Sequence, residues 1–202
     1  MNSHQASLIL SIAKSRGLLR ARDVDMAGAS RSMLAQLVQD GQLQRVSRGL
    51  YSLPNQPPSE HQSLAEVAVK SPQGVICLIS ALRFHEVTTQ QSSKVWLAIP
   101  HKGHPPKIDY PPLHIVHMSG DAMGQGVETI IVAGTSLKVF NVAKTVADCF
   151  KFRNKIGLDV ALEALREAWH GKRANIDELW RYAQICRVAN VMRPYMELLG
   201  AA

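Results

Sequence analysis

The sequence predicts an α/β (α+β) chain in two parts: a small helical module closed by a β-hairpin, then a larger mixed α/β domain ending in helices. Three observations carry this expectation. Apolar residues recur at helical spacing in three short segments before residue 40, and two short alternating runs around a glycine follow at once. The stretch Pro54-Asn55-Gln56-Pro57-Pro58-Ser59 then breaks every periodicity, because proline fixes φ and removes a backbone donor. Beyond it, helical and strand-like runs are mixed, and the chain turns helical toward its end.

Leu8, Ile9, Ile12 and Ala13 mark a first amphipathic helix, stopped near Gly17. Leu18 and Leu19 lead into a short second helix around Ala21 to Val24. Gly28-Ala29-Ser30 reads as a turn, with Ser30 placed to cap a third helix whose inner face is Met33, Leu34, Leu37 and Val38. That helix ends at Asp40-Gly41. Leu43 to Val46 and Leu50 to Leu53 form the two arms of a hairpin, and Gly49 in Ser47-Arg48-Gly49 supplies the turn geometry. Three helices followed by a hairpin is the order of a winged helix-turn-helix, expected over residues 1–55. Residues 56–62 read as a stiff extended linker.

The second domain, 63–202, opens with Ser63-Leu64-Ala65-Glu66, the pattern of a capping box, on a helix to about Val69. A helix is expected from Ile76 to Glu86, and strands at Lys94 to Ile99, His114 to Met118 and Thr129 to Val132. From Val142 the period turns helical, with Val146, Cys149 and Phe150 on one face. Leu158 to Trp169 is the clearest helix, with Leu158, Ala161, Leu162, Leu165 and Ala168 facing inward. Asn175-Ile176-Asp177-Glu178 caps another that reaches about Val188, and a last short helix precedes or includes Pro194.

The chain has 202 residues, 46% of them apolar, which suffices for buried cores. Its net charge of +7 is unevenly placed. Met1 to Asn55 holds seven Lys/Arg against three Asp, a concentration of positive charge suited to an acidic partner such as nucleic acid. Cys77, Cys149 and Cys186 are scattered in apolar sequence with no C-x-x-C spacing, so they read as buried thiols in a reducing compartment. Neither a signal peptide nor a membrane span is expected, which points to the cytoplasm and to no membrane partner.

The third helix offers the chemistry of base recognition. Ser30, Arg31, Ser32 and Gln36, with Gln39, lie on its polar face; arginine can bond guanine and glutamine adenine, each bidentately. Arg45 and Arg48, bracketing Val46-Ser47 beside Gly49, sit where a wing can grip phosphate or enter a minor groove. The set Ser30, Arg31, Ser32, Gln36, Arg45, Ser47, Arg48 and Gly49 is therefore the candidate contact surface for double-stranded DNA. Solvated surface residues of a small helical domain, or a protein-docking module, are the other readings of the same pattern.

Catalytic chemistry is not indicated, and no enzyme, cofactor or metal is expected. His101/His104 lie in a loop without a carboxylate, and His114/His117 fall three apart on a strand and so point to opposite faces. The run Gly120 to Gly126 lacks the Lys-Ser/Thr of a phosphate loop and reads as a turn. Ser11-Ile12-Ala13-Lys14 matches S-x-x-K only by chance on the first helix. Trp169 and Trp180 are spaced for packing.

Four stretches together resemble one family. Gly17-Leu18-Leu19-Arg20-Ala21-Arg22-Asp23 and Leu43-Gln44-Arg45-Val46-Ser47-Arg48-Gly49-Leu50-Tyr51 resemble the winged-helix end of AbiEi-type antitoxins. Phe140 to Phe150, containing Lys144-Thr145-x-x-Asp148, and Gly157 to Leu165 resemble that family's segments after its last strand. The resemblance implies repression of the protein's own promoter through the first domain. It further implies neutralisation, through the second, of a nucleotidyltransferase-like toxin of a bacterial abortive-infection system, without a stable complex being required. Lys144, Thr145, Asp148, Lys151 and Arg153 are the residues it assigns to that antitoxin function. Arginine is common where this chain has Lys144, and lysine lacks the planar fork for paired-carboxylate contacts. Read from spacing alone, Lys144 and Asp148 make an i, i+4 surface salt bridge worth about 0.2–0.5 kcal/mol. A homodimer on an inverted repeat fits such a role, and a ligand-responsive winged-helix regulator without a toxin is the alternative.

Overall fold

A computed structural model of the chain describes residues 2–54, 61–132 and 134–200. It divides into two compact units, Met1–Pro72 with Ile130–Leu137, and Gln73–Thr129 with Lys138–Ala202. The first unit thus carries a helix after the proline-rich stretch and a second, distant piece of chain. Most of the expected linker, residues 56–60, lies outside the described residues, as does residue 55 before it.

The first unit runs α1 (Asn2–Arg16), β1 (Leu18–Arg20), α2 (Ala21–Met26), α3 (Arg31–Gln39), β2 (Gln44–Ser47), β3 (Leu50–Ser52) and α4 (Gln62–Lys70). Its three strands form an antiparallel sheet in the order β1-β3-β2. Ile9, Ala13, Leu19, Val24, Leu34, Leu37 and Leu43 bury their side chains together under α1, α2 and α3. This is the winged helix expected from the sequence. Leu18 and Leu19 do more than lead into α2: they form β1, whose partners Ser52 and Tyr51 lie more than thirty residues away and leave no local signature.

Helix α4 corrects a local expectation. It starts at Gln62, so Ser63 lies inside the helix, and Glu66 is buried rather than reaching back to a cap. The carboxylate of Glu66 instead accepts a hydrogen bond from Gln62 Nε2 at 3.4 Å. Ala65 packs with Leu18 and Leu50 against the sheet.

The second unit contains β4 (Val75–Ile76), α5 (Leu78–Phe84), β5 (Val95–Pro100), β6 (Leu113–Met118), α6 (Asp121–Gly124), β7 (Val127–Val132), β8 (Thr135–Phe140), α7 (Val142–Lys151), α8 (Arg153–Ile156), α9 (Leu158–His170), α10 (Ile176–Ile185) and α11 (Ala189–Gly200). Residues 130–137 at the outer ends of β7 and β8 belong to the first unit. The sheet order is β6-β5-β4-β8-β7, with β4 antiparallel to β5 and parallel to β8. The helix expected from Ile76 begins two residues later, because Val75 and Ile76 pair with Ala98 and Leu97. Strand β8 was not foreseen.

Helix α7 is the centre of this unit, with α5, α9 and α10 packed around it. All nine residues from Val142 to Phe150 are buried. The Asn141 side chain caps it by accepting from the Lys144 N–H at 2.9 Å. The Asn175–Glu178 capping box on α10 forms as expected. In α9, Ala161, Leu165 and Ala168 are buried and Leu162 partly so, but Leu158 is 38% exposed and does not face the core. The glycine-rich run from Gly120 folds as the single turn α6, and Pro194 is accommodated within α11.

Candidate nucleic-acid interface

Ser30 begins α3 in extended backbone, and its hydroxyl oxygen accepts from the Met33 N–H at 3.2 Å. The same hydroxyl donates to Gln5 Oε1 at 3.1 Å and accepts from the Ser32 hydroxyl at 3.0 Å. All three of its hydrogen-bonding capacities are thus engaged within the protein. Met33, Leu34 and Leu37 turn inward, which leaves Arg31, Ser32, Gln36 and Gln39 exposed on the opposite side of the helix. Arg31 is 67% exposed and its Nη2 lies 2.6 Å from Oδ2 of Asp25, at the end of α2. The hydrogen bonds from Arg31 hold the Asp25 carboxyl below the usual carboxylate range.

The wing is the hairpin of β2 and β3. Arg45 pairs with Tyr51 and Ser47 with Leu50, so the register shifts between them, and a bulge of this kind re-aims side chains. Gly49 closes the turn at φ +72°, a conformation that side-chain-bearing residues rarely adopt. Arg45 and Arg48 are both exposed, and Arg45 Nε donates to the Ser47 carbonyl at 3.4 Å. The Ser47 hydroxyl is buried without a hydrogen-bond partner among the described residues. Behind the sheet, Arg20 donates to both oxygens of Asp23 and to the Val69 carbonyl at 2.9 Å. Burial alone would raise the Asp23 carboxyl; the hydrogen bonds and charge of Arg20, aided by Arg16, more than offset it and leave it lowered.

The residues grouped by resemblance in the second unit lie very differently. Lys144, Thr145 and Asp148 are fully buried. The salt bridge expected on the surface is therefore a core ion pair, with Lys144 Nζ 2.5 Å from Asp148 Oδ2. The ammonium also sits 4.0 Å from the centre of the Phe140 ring. The Cys186 thiol donates to the other carboxylate oxygen at 3.2 Å. Burial pushes the Asp148 carboxyl up, against the pull of Lys144 and Cys186, and raises Cys186 to about 12. Cys77 and Cys149 are also buried and raised, so none of the three thiols is primed as a nucleophile. Thr145 donates to the Phe140 carbonyl at 3.2 Å, which His85 Nε2 also bonds at 2.7 Å. Lys151 is exposed, and Arg153 is half-buried with Nη1 donating to the Phe150 carbonyl.

Sequence reasoning missed Gly126. A Cβ there would lie 2.8 Å from Lys144 Cβ and 3.1 Å from Tyr182 Cε1, so its backbone lies directly against the buried lysine. The signal was present in the glycine-rich run, but its partner eighteen residues on was not legible. Of the histidine pairs, His114 stacks on Trp96 at 3.8 Å while His101, His104 and His117 are exposed. Among the described residues, no three His, Cys, Asp or Glu side chains gather as a metal site would require. No described helix is long and apolar enough to cross a membrane.

Residues 7–54 match the family model described as "Transcriptional regulator, AbiEi antitoxin". The resemblance carried by Gly17–Asp23 and Leu43–Tyr51 is borne out over that segment, and the matched family is one of regulators. No curated protein matches the chain. The crystal structure of the RV2827C protein from Mycobacterium tuberculosis is similar to it, with TM-score 0.53 and 12% identity over 98% of this chain and 81% of that one. At that identity the likeness concerns the fold alone.

Proposed function

We propose that the chain is a DNA-binding transcriptional autorepressor and the antitoxin of a bacterial abortive-infection system, countering a nucleotidyltransferase-like toxin. The observation that carries this reading is that α3 exposes a polar face and the wing exposes two arginines, all within the segment that matches antitoxin regulators. Arg31, Ser32 and Gln36 read base edges, while Arg45, Ser47, Arg48 and Gly49 bring the wing to the phosphate backbone. Ser30 acts as the cap that fixes where α3 starts. Two copies bind an inverted repeat upstream of the gene, in the cytoplasm.

In the second unit, Lys144, Thr145 and Asp148 serve the antitoxin function through the shape of the core. Lys151 and Arg153 supply charge near the surface. No catalytic step is part of this reading.

The test is a salt series of binding to the DNA just upstream of the gene, against a scrambled duplex, paired with co-expression of the toxin gene. Specific binding with a steep negative salt slope and rescue from toxicity supports the whole reading. Equal weak binding to both duplexes overturns the DNA role.

A second reading rests on a cleft of about 300 Å³ in the first unit, lined by Leu18, Val69 and Ile131 with Arg16 and Asp23. An apolar cleft with a few charged groups suits a small ligand, as in a ligand-responsive regulator with no toxin. Rescue from toxicity by this chain would overturn that alternative.

A further inference from the structure

The geometry points to Asp25 as a specificity-determining residue that holds Arg31 for guanine, an inference that rests on the proposed DNA-reading role of α3. Arg31 Nε bonds both Asp25 oxygens at 3.1 Å, and Nη2 bonds Oδ2 at 2.6 Å. The carboxylate therefore occupies the side edge of the guanidinium. Both N–H groups of Nη1 and the second N–H of Nη2 remain, and Nη1 has no partner among the described residues. These remaining donors form the end-on fork that matches the two acceptors, O6 and N7, on the major-groove edge of guanine.

The connection between the two residues is short and braced. Gly28 N–H donates to the Asp25 carbonyl and Ala29 N–H to the Val24 carbonyl, both at 3.1 Å. Val24 and Leu34, on the two helices, are buried in the same core. The carboxylate thus approaches Arg31 from a fixed backbone rather than from a free loop. Holding a guanidinium beforehand reduces the side-chain freedom lost on binding. An acceptor-only anion at this point also repels phosphate, so it disfavours a slide of Arg31 onto the DNA backbone. Asp25 accordingly lowers general attraction to DNA while sharpening the choice of base.

The experiment selects duplexes from a random-sequence pool with the full chain, as wild type, Asp25→Ala and Arg31→Ala, and reads base frequencies at each position. The wild type is expected to enrich guanine at one position, mirrored if two copies bind. Arg31→Ala is expected to lose that preference, and Asp25→Ala to weaken it roughly ten-fold with other positions unchanged. Asp25→Ala should bind scrambled duplex as well as the wild type or better. A thermal melt checks that both variants fold, as substitution of an exposed pair should allow. Full guanine preference in Asp25→Ala, or in Arg31→Ala, would overturn the assignment. If the wild type enriches no motif at all, the DNA-reading role of α3 fails and the assignment falls with it.

Discussion

Lys144 and Asp148 stand one helical turn apart on α7 as an ion pair with no solvent exposure on either side chain. Its surroundings partly compensate for the loss of water. The Phe140 ring lies under the ammonium, and the Cys186 thiol satisfies the second carboxylate oxygen. A pair so placed contributes little net stability over apolar residues of the same volume, yet breaking it strands an uncompensated charge. Lys144→Met alone should therefore cost about 3–5 kcal/mol, whereas Lys144→Met with Asp148→Leu should recover much of the loss. Urea unfolding of the two variants decides the point, and equal losses would contradict it.

The two buried aspartates should respond to pH in opposite senses. Asp23 is lowered, so its contribution is present above the ordinary carboxylate range and is lost as pH falls through its depressed value. Asp148 is raised, so its contribution is present below that range and is lost as pH rises through its elevated value. Asp23→Asn should be less stable than wild type at neutral pH, with the gap closing in acid. A pH series of melting temperatures for this variant would show a constant gap if Asp23 were not so held.

Ser30→Ala should cost about 1 kcal/mol, because the hydroxyl satisfies the Met33 N–H at the start of α3. Ser30→Asp should retain most of that stability. Comparing the melts of both with their DNA affinity separates capping from base contact, since a capping role predicts that affinity follows stability.

Gly126→Ala meets two obstacles. Its φ of +74° suits glycine, and the new methyl would press on Lys144 Cβ and Cγ. A loss of roughly 2 kcal/mol is expected from overpacking and backbone strain together. Chemical denaturation measures it; a neutral substitution would mean that the contact relaxes freely.

Arg48→Ala should weaken binding to all duplexes alike and reduce the salt slope by about one, the signature of one lost phosphate contact. An unchanged slope and affinity would remove Arg48 from the interface.

The parts of this fold legible in the sequence are those whose signals are local. The Ser30 cap, the inner face Met33-Leu34-Leu37, the Gly49 turn and the Asn175–Glu178 box each act within four residues of themselves. Strand β1 was hidden because three residues carry no measurable period, and its identity lies in β3. The two-residue β4 was absorbed into the helix after it for the same reason. Ser63 to Glu66 has the residue types of a cap, but the helix starts at Gln62, so these residues lie inside it and Ala65 packs with Leu18 and Leu50. Lys144 and Asp148 show the same limit at the site: spacing places them together, but only the ring of helices around α7 decides that they are in the core. Asp25 was legible as a charge and not as a partner, since its distance from Arg31 is set by the turn between α2 and α3.

The first unit is assembled from stretches that are far apart along the polypeptide. Its winged helix is complete as a pattern by Ser52, yet Arg20 reaches the Val69 carbonyl and the Thr135 hydroxyl bonds the Arg16 carbonyl at 3.0 Å. On a ribosome, the α1–β3 segment would emerge well before residues 130–137 are available to finish its unit. Competence to fold this unit in full therefore arrives only after two-thirds of the chain has been synthesised. A fragment cut at the proline-rich stretch would keep α3 and the wing but resemble the nascent state more than the native one.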